Sequence, residues 1–450
     1  MILVCRRPAL ALLLTMLLPV GCNADTSTAS STDCRIGAYR LADGRLLDVG
    51  ATSRGLRWRM ADGETGALTE VAGTLVSTRG STGQKDGHAI DILPCAQRAL
   101  RFDGLAGQFI PLDSVDTTFE SEGVTLAGRL VMPPGNGQVA VVVMVHGSES
   151  TSALDFAAWQ RLLPASGVGA FVFDKRGTGR SGGTYTQDFH LLARDAAAAA
   201  REARRLAGLR LASLAYEGAS QGGWVLPLAQ ALEPADRLVV GYGLTVSPLE
   251  ENRSEVMQHL AARGFGAADL AAASEVVAAT EQLMSSGFRK GFDAYADGRR
   301  RYGKTPWYPH IDGEFSGAIL KYPPWMLRLV APIARRRADR GTPWWHDPLP
   351  ALRAVEVPIL WVLAGADTEA PPERTRQDLA RLQAEGRPLT VLEFPATDHG
   401  IVEFETGPDG KRVTTRVADG YFRAVVDFVR LGRLGDVRYG RARRNGAPQP

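Results

Sequence analysis

Apolar positions along this chain follow two rhythms, and the change between them falls near Asp116. From residue 35 to about 112 the apolar residues come in short runs split by turn signals. Leu41-Ala42-Asp43-Gly44 and Met60-Ala61-Asp62-Gly63 each set Asp-Gly between apolar or aromatic stretches. Asp and Gly tolerate the positive φ that tight hairpin turns require, so both predict hairpins and residues 35–112 predict a small all-β module. Beyond Asp116, residues 118–123 and 124–132 predict one more hairpin. Continuous apolar runs then recur at 139–145, 170–173, 211–215, 238–244, 359–363 and 390–394. A strand apolar at every position is a strand buried on both faces, as in a parallel sheet. Helical periodicity lies between these runs, notably over 189–206 around the alanines at 196–200. The alternation predicts an α/β domain in two parts, residues 116–247 and 351–435.

The segment between them, 248–350, breaks the alternation. It predicts an Ala-rich helix over 255–285 and then loop-like chain crowded with Trp307, Tyr308, Trp325, Trp344 and Trp345. About a hundred residues inserted between two sheet strands predict a lid over the sheet's C-terminal edge. The aromatics could equally glue the insertion to the body. Residues 436–450 are expected to be a flexible tail.

Composition adds bounds. The chain has 450 residues, 45% apolar and 22% charged, enough for a sizeable core in one large domain or two ordinary ones. Its net charge is only +3, and Arg6 and Arg7 lie in a segment expected to be removed, so nothing favours nucleic acid as a partner. Those arginines precede a Leu- and Ala-rich run and then Val20-Gly21-Cys22, the regions of a secretory signal over residues 1–22, too short to favour a spanning helix. Its Gly-Cys end resembles the lipobox of bacterial lipoproteins, which implies a lipidated Cys22 and attachment to a membrane in the cell envelope. Pro19 departs from that pattern, and the alternative is ordinary cleavage nearby and a soluble exported, periplasmic protein. Residues 23–34 read as a tether. Of four cysteines, Cys34 and Cys95 remain as the only mature pair in a compartment that permits disulfides, and a bridge between them is expected. No Cys/His cluster suggests a metal, and no cofactor is implied.

Candidate chemistry centres on residues 211–232, LASLAYEGASQGGWVLPLAQAL. An apolar strand ends at Tyr216, a tight turn carries Gly218-Ala219-Ser220-Gln221-Gly222-Gly223, and a helix-like run begins at Trp224. In such a turn the neighbours two residues either side of Ser220 must lack bulk, and Ser220 Oγ stands above the sheet at the positive end of the helix. Other chemical groups follow other strands: His146-Gly147-Ser148 after 139–145, Asp367 after 359–363, and His399 after 390–394. Open α/β sheets place their sites at these C-terminal strand ends. The order Ser220, Asp367, His399 matches the α/β-hydrolases.

From 118 to 431 the chain resembles that family, through VMVHGS, FDKRGTGRSGG (173–183), GASQGGW and the Asp and His segments, and looks closest to bacterial esterase-like and serine aminopeptidase-like members with a cap. The resemblance implies an α/β-hydrolase fold with a lid insertion, preceded by the β module. It implies Ser220 as nucleophile, His399 as base, Asp367 as its orienting acid, and the backbone N–H groups of Ser148 and Gln221 as an oxyanion hole. His146 is expected to shape that loop. Asp398 adjoins His399 in sequence, so it cannot readily face the ring, and Asp174 is expected in an ion pair with Arg176 or Arg180. The substrate is then a small acyl compound, with an ester first. A peptidase or amidase reading would use Glu250-Glu251 to anchor a free amine. A non-catalytic envelope protein that keeps the fold for binding is a third reading, opposed by the complete Ser/Asp/His set. Oligomeric state has no signature in the sequence.

Overall fold

The computed structural model describes residues 33–448, apart from 339, 409 and 446, so the leader and Cys22 lie outside the described residues. The first unit comprises eight strands, β1 (Gly37–Leu41), β2 (Leu46–Thr52), β3 (Gly55–Met60), β4 (Thr65–Val71), β5 (Thr74–Arg79), β6 (Lys85–Ile92), β7 (Ala99–Phe102) and β8 (Leu105–Phe109). Each pairs with the next and β8 closes on β1, giving an antiparallel barrel. Closure removes the exposed edges that so small a sheet would otherwise present. Inward positions alternate along each strand, so Leu47, Val49, Leu56, Trp58, Met60, Leu100 and Phe102 fill the interior.

Cys34, just before β1, is bonded to Cys95 in the loop between β6 and β7, with Cα atoms 5.7 Å apart. Restricting a long loop of the unfolded chain stabilises the folded one by about 2–4 kcal/mol. Replacing both cysteines by serine is therefore expected to lower barrel stability by that amount in urea unfolding. An unchanged midpoint would refute it.

The barrel is locked onto the second unit. Asp48, fully buried, accepts from Arg161 Nε at 2.5 Å and Nη2 at 3.1 Å. That second unit is built on β9 (Asp113–Ser121), β10 (Val124–Met132), β11 (Val139–Val145), β12 (Gly169–Phe173), β13 (Leu211–Ala219), β14 (Arg237–Gly241), β15 (Ile359–Ala364) and β16 (Leu389–Phe394). Their order is β9-β10-β12-β11-β13-β14-β15-β16, and only β10 runs against the others. This is the α/β-hydrolase fold, as the sequence resemblance implied. Side chains alternate across the sheet: Val141 and Val143 face the helix Phe189–Ala207, while Val142 faces the helix Tyr421–Leu431. The alanines 193, 196, 199, 200 and 203 are fully buried, and their small size lets the first helix lie close on the sheet.

Several boundaries differ from the sequence expectation. The expected helix over 255–285 is two helices, Pro248–Ala262 and Ala267–Ser285, broken where Gly264 takes φ +86°. The chain after them is mostly helical, with Phe292–Tyr302, Ser316–Leu320 and Pro324–Ala338. These helices share their own core around Val256, Val277, Leu283, Tyr295, Trp307 and Ile319. Trp307 is thus internal to the insertion, whereas Trp325 and Trp345 are 64% and 70% exposed.

The expected flexible tail is also corrected. Tyr439 and Ala442 are buried, and Arg443–Arg444 pairs antiparallel with β16, covering that edge. Tyr439 packs there because its hydroxyl donates to Asp427 Oδ2 at 2.8 Å while accepting from Gly435 N–H at 2.8 Å.

Finally, a hairpin, β17 (Val402–Thr406) and β18 (Arg412–Val417), joins the segment after His399 to the barrel. Val417 N–H donates to Gly63 O at 3.0 Å and Ser81 N–H to Thr414 O at 2.9 Å. Gly63 has φ +97°, and a Cβ there would lie 2.1 Å from Val417 O, so only glycine permits this contact.

Candidate active site

Strand β13 continues past Tyr216 to Ala219, and the helix Gly222–Leu232 starts immediately after Gln221. Ser220 sits between them at φ +52°, a left-handed conformation costly for any residue with a Cβ. The turn's need for glycine lies partly elsewhere than expected. A Cβ on Gly222 would meet nothing within 4 Å, one on Gly218 would meet Gly222 Cα at 3.2 Å, and one on Gly223 would meet Leu244 N at 2.9 Å. The tightest point is therefore the approach of the helix start to the loop after β14.

Asp367 and His399 are brought together. Asp367 is 1% exposed; its Oδ1 accepts from Glu369 N–H at 2.9 Å and Ala370 N–H at 2.8 Å, and its Oδ2 lies 2.9 Å from His399 Nδ1. The His399 side chain keeps 17% exposure. Burial opposes charge on the ring, but the carboxylates of Asp367, Glu369 and Glu251 outweigh it and push its pKa up to about 10. Ser220 N–H donates to Gly241 O at 2.8 Å, and the next residue, Tyr242, packs edge-on against His399 with ring centroids 4.7 Å apart. Tyr242 itself leaves β14 at φ +39°, which ends that strand at Gly241 rather than 244. Ser220 Oγ makes no hydrogen bond to His399; Nε2 lies 3.9 Å from Glu369 Oε1 instead. Such contacts are often open without substrate.

On the other side of Ser220 stands the loop after β11. A Cβ on Gly147 would lie 3.7 Å from the Ser220 Cβ. The backbone N–H groups of Ser148 and Gln221 have no acceptor among the described residues. Ser148 is exposed and Gln221 buried. His146 Nε2 donates to Phe173 O and its Nδ1 lies 3.3 Å from Glu149 Oε1, which ties the loop's base to β12. Burial works against charge on Glu149, but His146 and Lys175 hold its carboxyl down at about 2.

Two acids lie away from the ring. Asp398 accepts from Thr368 N–H at 2.9 Å and pairs with Arg412 at 3.1 Å, bracing the two loops against each other. Arg412 also donates to Ala366 O at 2.5 Å. Asp174 corrects the expected ion pair. It accepts from Ser152 Oγ at 2.9 Å, Leu154 N–H at 3.1 Å and the backbone N–H of Arg180 at 2.8 Å. Arg176 pairs with Asp195 at 2.5 Å, and the Arg180 guanidinium reaches Asp155 at 3.1 Å. A carboxylate at a strand end is better satisfied by nearby N–H groups, which cost no side-chain ordering.

Sequence reasoning missed Lys175, Tyr242, Glu149 and Glu369. Lys175 lies inside the 173–183 motif and Tyr242 just past a strand end, so position was the available signal for both.

No protein-family model matches the chain, and no curated protein sequence matches it. Among solved structures it is similar to the Pyrococcus furiosus esterase Pf2001, at 15% identity over 64% of this chain and 85% of that one, TM-score 0.40. It is similar also to the Pyrococcus horikoshii acylaminoacyl peptidase, at 13% identity over 87% of this chain and 56% of that one, TM-score 0.41. A third is the proline iminopeptidase of Mycobacterium smegmatis, at 17% identity over 64% of this chain and 92% of that one, TM-score 0.38. At such scores these likenesses carry no argument, and the fold stands on its strand order.

Proposed function

We propose that the protein is a serine hydrolase that transfers an acyl group to water, with carboxylic esters as substrates. The observation that carries this is Ser220 held at φ +52° between β13 and its helix, beside two backbone N–H groups without acceptors among the described residues and the joined pair Asp367–His399. In this reading Ser220 Oγ attacks the ester carbonyl as neutral His399 takes its proton at Nε2. The carbonyl oxygen becomes an oxyanion held by the N–H groups of Ser148 and Gln221, worth roughly 3–4 kcal/mol per donor. The imidazolium returns the proton to the departing alcohol, and water repeats the sequence on the acyl-enzyme. A panel of p-nitrophenyl esters tests this directly; a folded protein inert toward all of them would sink it. From the sequence alone we infer export to the cell envelope, through a leader ending at Cys22.

One observation favours a second reading, hydrolysis of a substrate that carries a free amine. Glu251, in the helix Pro248–Ala262, is 8% exposed, and its carboxyl makes no hydrogen bond with described residues. Burial, then repulsion from Glu314, raises its carboxyl well above the usual range, while the charge on His399 opposes this. An ammonium group would supply the missing countercharge. Glu250, by contrast, is turned toward Arg374 at 3.7 Å. On this reading Glu251→Gln raises KM for aminoacyl p-nitroanilides by about tenfold or more and leaves KM for p-nitrophenyl butyrate unchanged. Equal effects on both substrates would dismiss an amine anchor.

A further inference from the structure

The strand end after β12 carries a buried lysine that the acyl-transfer scheme does not use. Lys175 is 1% exposed, and its Nζ donates to Gly147 O at 2.5 Å, Glu149 O at 3.2 Å and Gln221 Oε1 at 3.4 Å. An ammonium has three protons, and all three have acceptors here. Those acceptors belong to the two separate pieces of chain beside Ser220 whose N–H groups the proposed reading uses as an oxyanion hole. One is the loop after β11; the other is the residue at the N-terminus of the helix Gly222–Leu232.

Peptide geometry gives this grip a consequence. In a planar trans peptide, C=O and N–H point in opposite directions. Gly147 O and Ser148 N–H belong to one peptide, so holding the carbonyl toward Lys175 turns the N–H the other way. Gly147, without a Cβ, would otherwise leave that peptide free to rotate. Two further donors pin the next carbonyl: Tyr185 Oη and, at 3.4 Å, Gln187 Nε2 both donate to Ser148 O. Gln187 in turn accepts from Gln221 Nε2, which closes a ring of hydrogen bonds around the loop.

We infer that Lys175 is a positioning residue that sets the direction of the Ser148 N–H and aligns it with that of Gln221 as one oxyanion hole. This rests on the serine-hydrolase reading above. Burial lowers the lysine pKa to about 8, with the Glu149 carboxylate opposing, so the ammonium that makes all three bonds is present at neutral pH. The charge also balances Glu149, which would otherwise repel an oxyanion forming nearby.

The test compares wild type, Lys175→Met and Ser220→Ala on p-nitrophenyl butyrate, together with binding of phenylboronic acid, which forms a tetrahedral adduct on a reactive serine. Lys175→Met is expected to lower kcat by about 100-fold, with KM changed less than about threefold and boronate affinity reduced in parallel with kcat. A merely structural lysine would lower the melting temperature without that split. If Lys175→Met gives no cooperative melt, Lys175→Gln, which keeps two of the three N–H donors, carries the test with a smaller loss of the same pattern. A folded variant with wild-type kcat, or one whose loss lies in KM while boronate affinity is unchanged, overturns the inference. If Ser220→Ala keeps wild-type activity, it is the serine-hydrolase reading that has failed; if Ser220→Ala is inactive and Lys175→Met is normal, only the role of Lys175 has.

Discussion

On the proposed reading, replacing Ser220 by alanine is expected to lower kcat for ester hydrolysis by on the order of 10⁵–10⁶, with the fold intact. The size follows from how the groups act. Without Oγ no acyl-enzyme forms, and His399 and Asp367 have no proton to move, so the whole unit is lost at once. On that reading, what should survive is polarisation of the carbonyl by the Ser148 and Gln221 N–H groups. Stability should hardly change, because Ser220 Oγ has no hydrogen bond to His399 to lose and alanine at φ +52° is as strained as serine. Ser220→Gly sharpens the test. Glycine adopts that conformation at little cost, so it should be as inactive as Ser220→Ala yet melt at a higher temperature, by about 1 kcal/mol of stability less the added entropy of the unfolded chain. Thermal melts and kcat on p-nitrophenyl butyrate decide both halves. Wild-type activity in a folded Ser220→Ala protein ends the reading.

Asp367→Asn is expected to cost up to about 10⁴ in kcat, the loss that the same change produces in serine proteases of another fold. Asp367 Oδ2 receives His399 Nδ1–H at 2.9 Å while Oδ1 takes two backbone N–H groups. An asparagine keeps its carbonyl on those N–H groups and so turns its NH₂ toward Nδ1. The ring proton is then forced to Nε2, and the imidazole can no longer accept from Ser220. Removing a negative charge also lowers the His399 pKa from about 10, so the residual activity should lose its acid limb at a lower pH than wild type does. The direction follows from the role proposed for His399: a base must be neutral, so activity is expected to fall as pH drops through its pKa. Glu369→Gln should move the limb the same way with kcat largely kept, because Glu369 acts on the ring only by its charge, from 3.9 Å. Asp398→Asn can keep its carbonyl on Thr368 N–H but loses the ion pair with Arg412, and should reduce stability more than rate. Should Asp398→Asn prove crippled and Asp367→Asn nearly normal in pH–rate profiles, the acid has been misassigned.

Local pattern carried a good deal of this. Runs apolar at every position mark strands buried on both faces, and β11, over 139–145, has the bounds its run predicted because the chain's polarity changes sharply at both ends. Boundaries set by backbone conformation were less legible. The run over 238–244 stays apolar beyond Gly241, but the chain leaves the sheet there because Tyr242 is held at φ +39° against His399. Similarly, an Ala-rich stretch hid the break at Gly264, since helix propensity is a weak prior that a packed turn overrides.

By itself, then, the sequence determined the α/β character of the sheet and the all-β start. It also determined that Ser220, Asp367 and His399 each follow a strand, because periodicity and turn chemistry are local properties of the chain. Tertiary structure alone decided what surrounds them. Hydrogen-bond partners of side chains are chosen by proximity across the fold: Asp174 takes N–H groups rather than a guanidinium, and Lys175 reaches the loop after β11, 28 residues away. The same holds for the barrel's closure of β8 on β1 and its grip on the hairpin beyond His399. Apart from Asp174 and Arg180, six residues apart, those contacts join positions tens to hundreds of residues apart, and no local pattern encodes which carbonyl a buried donor will meet.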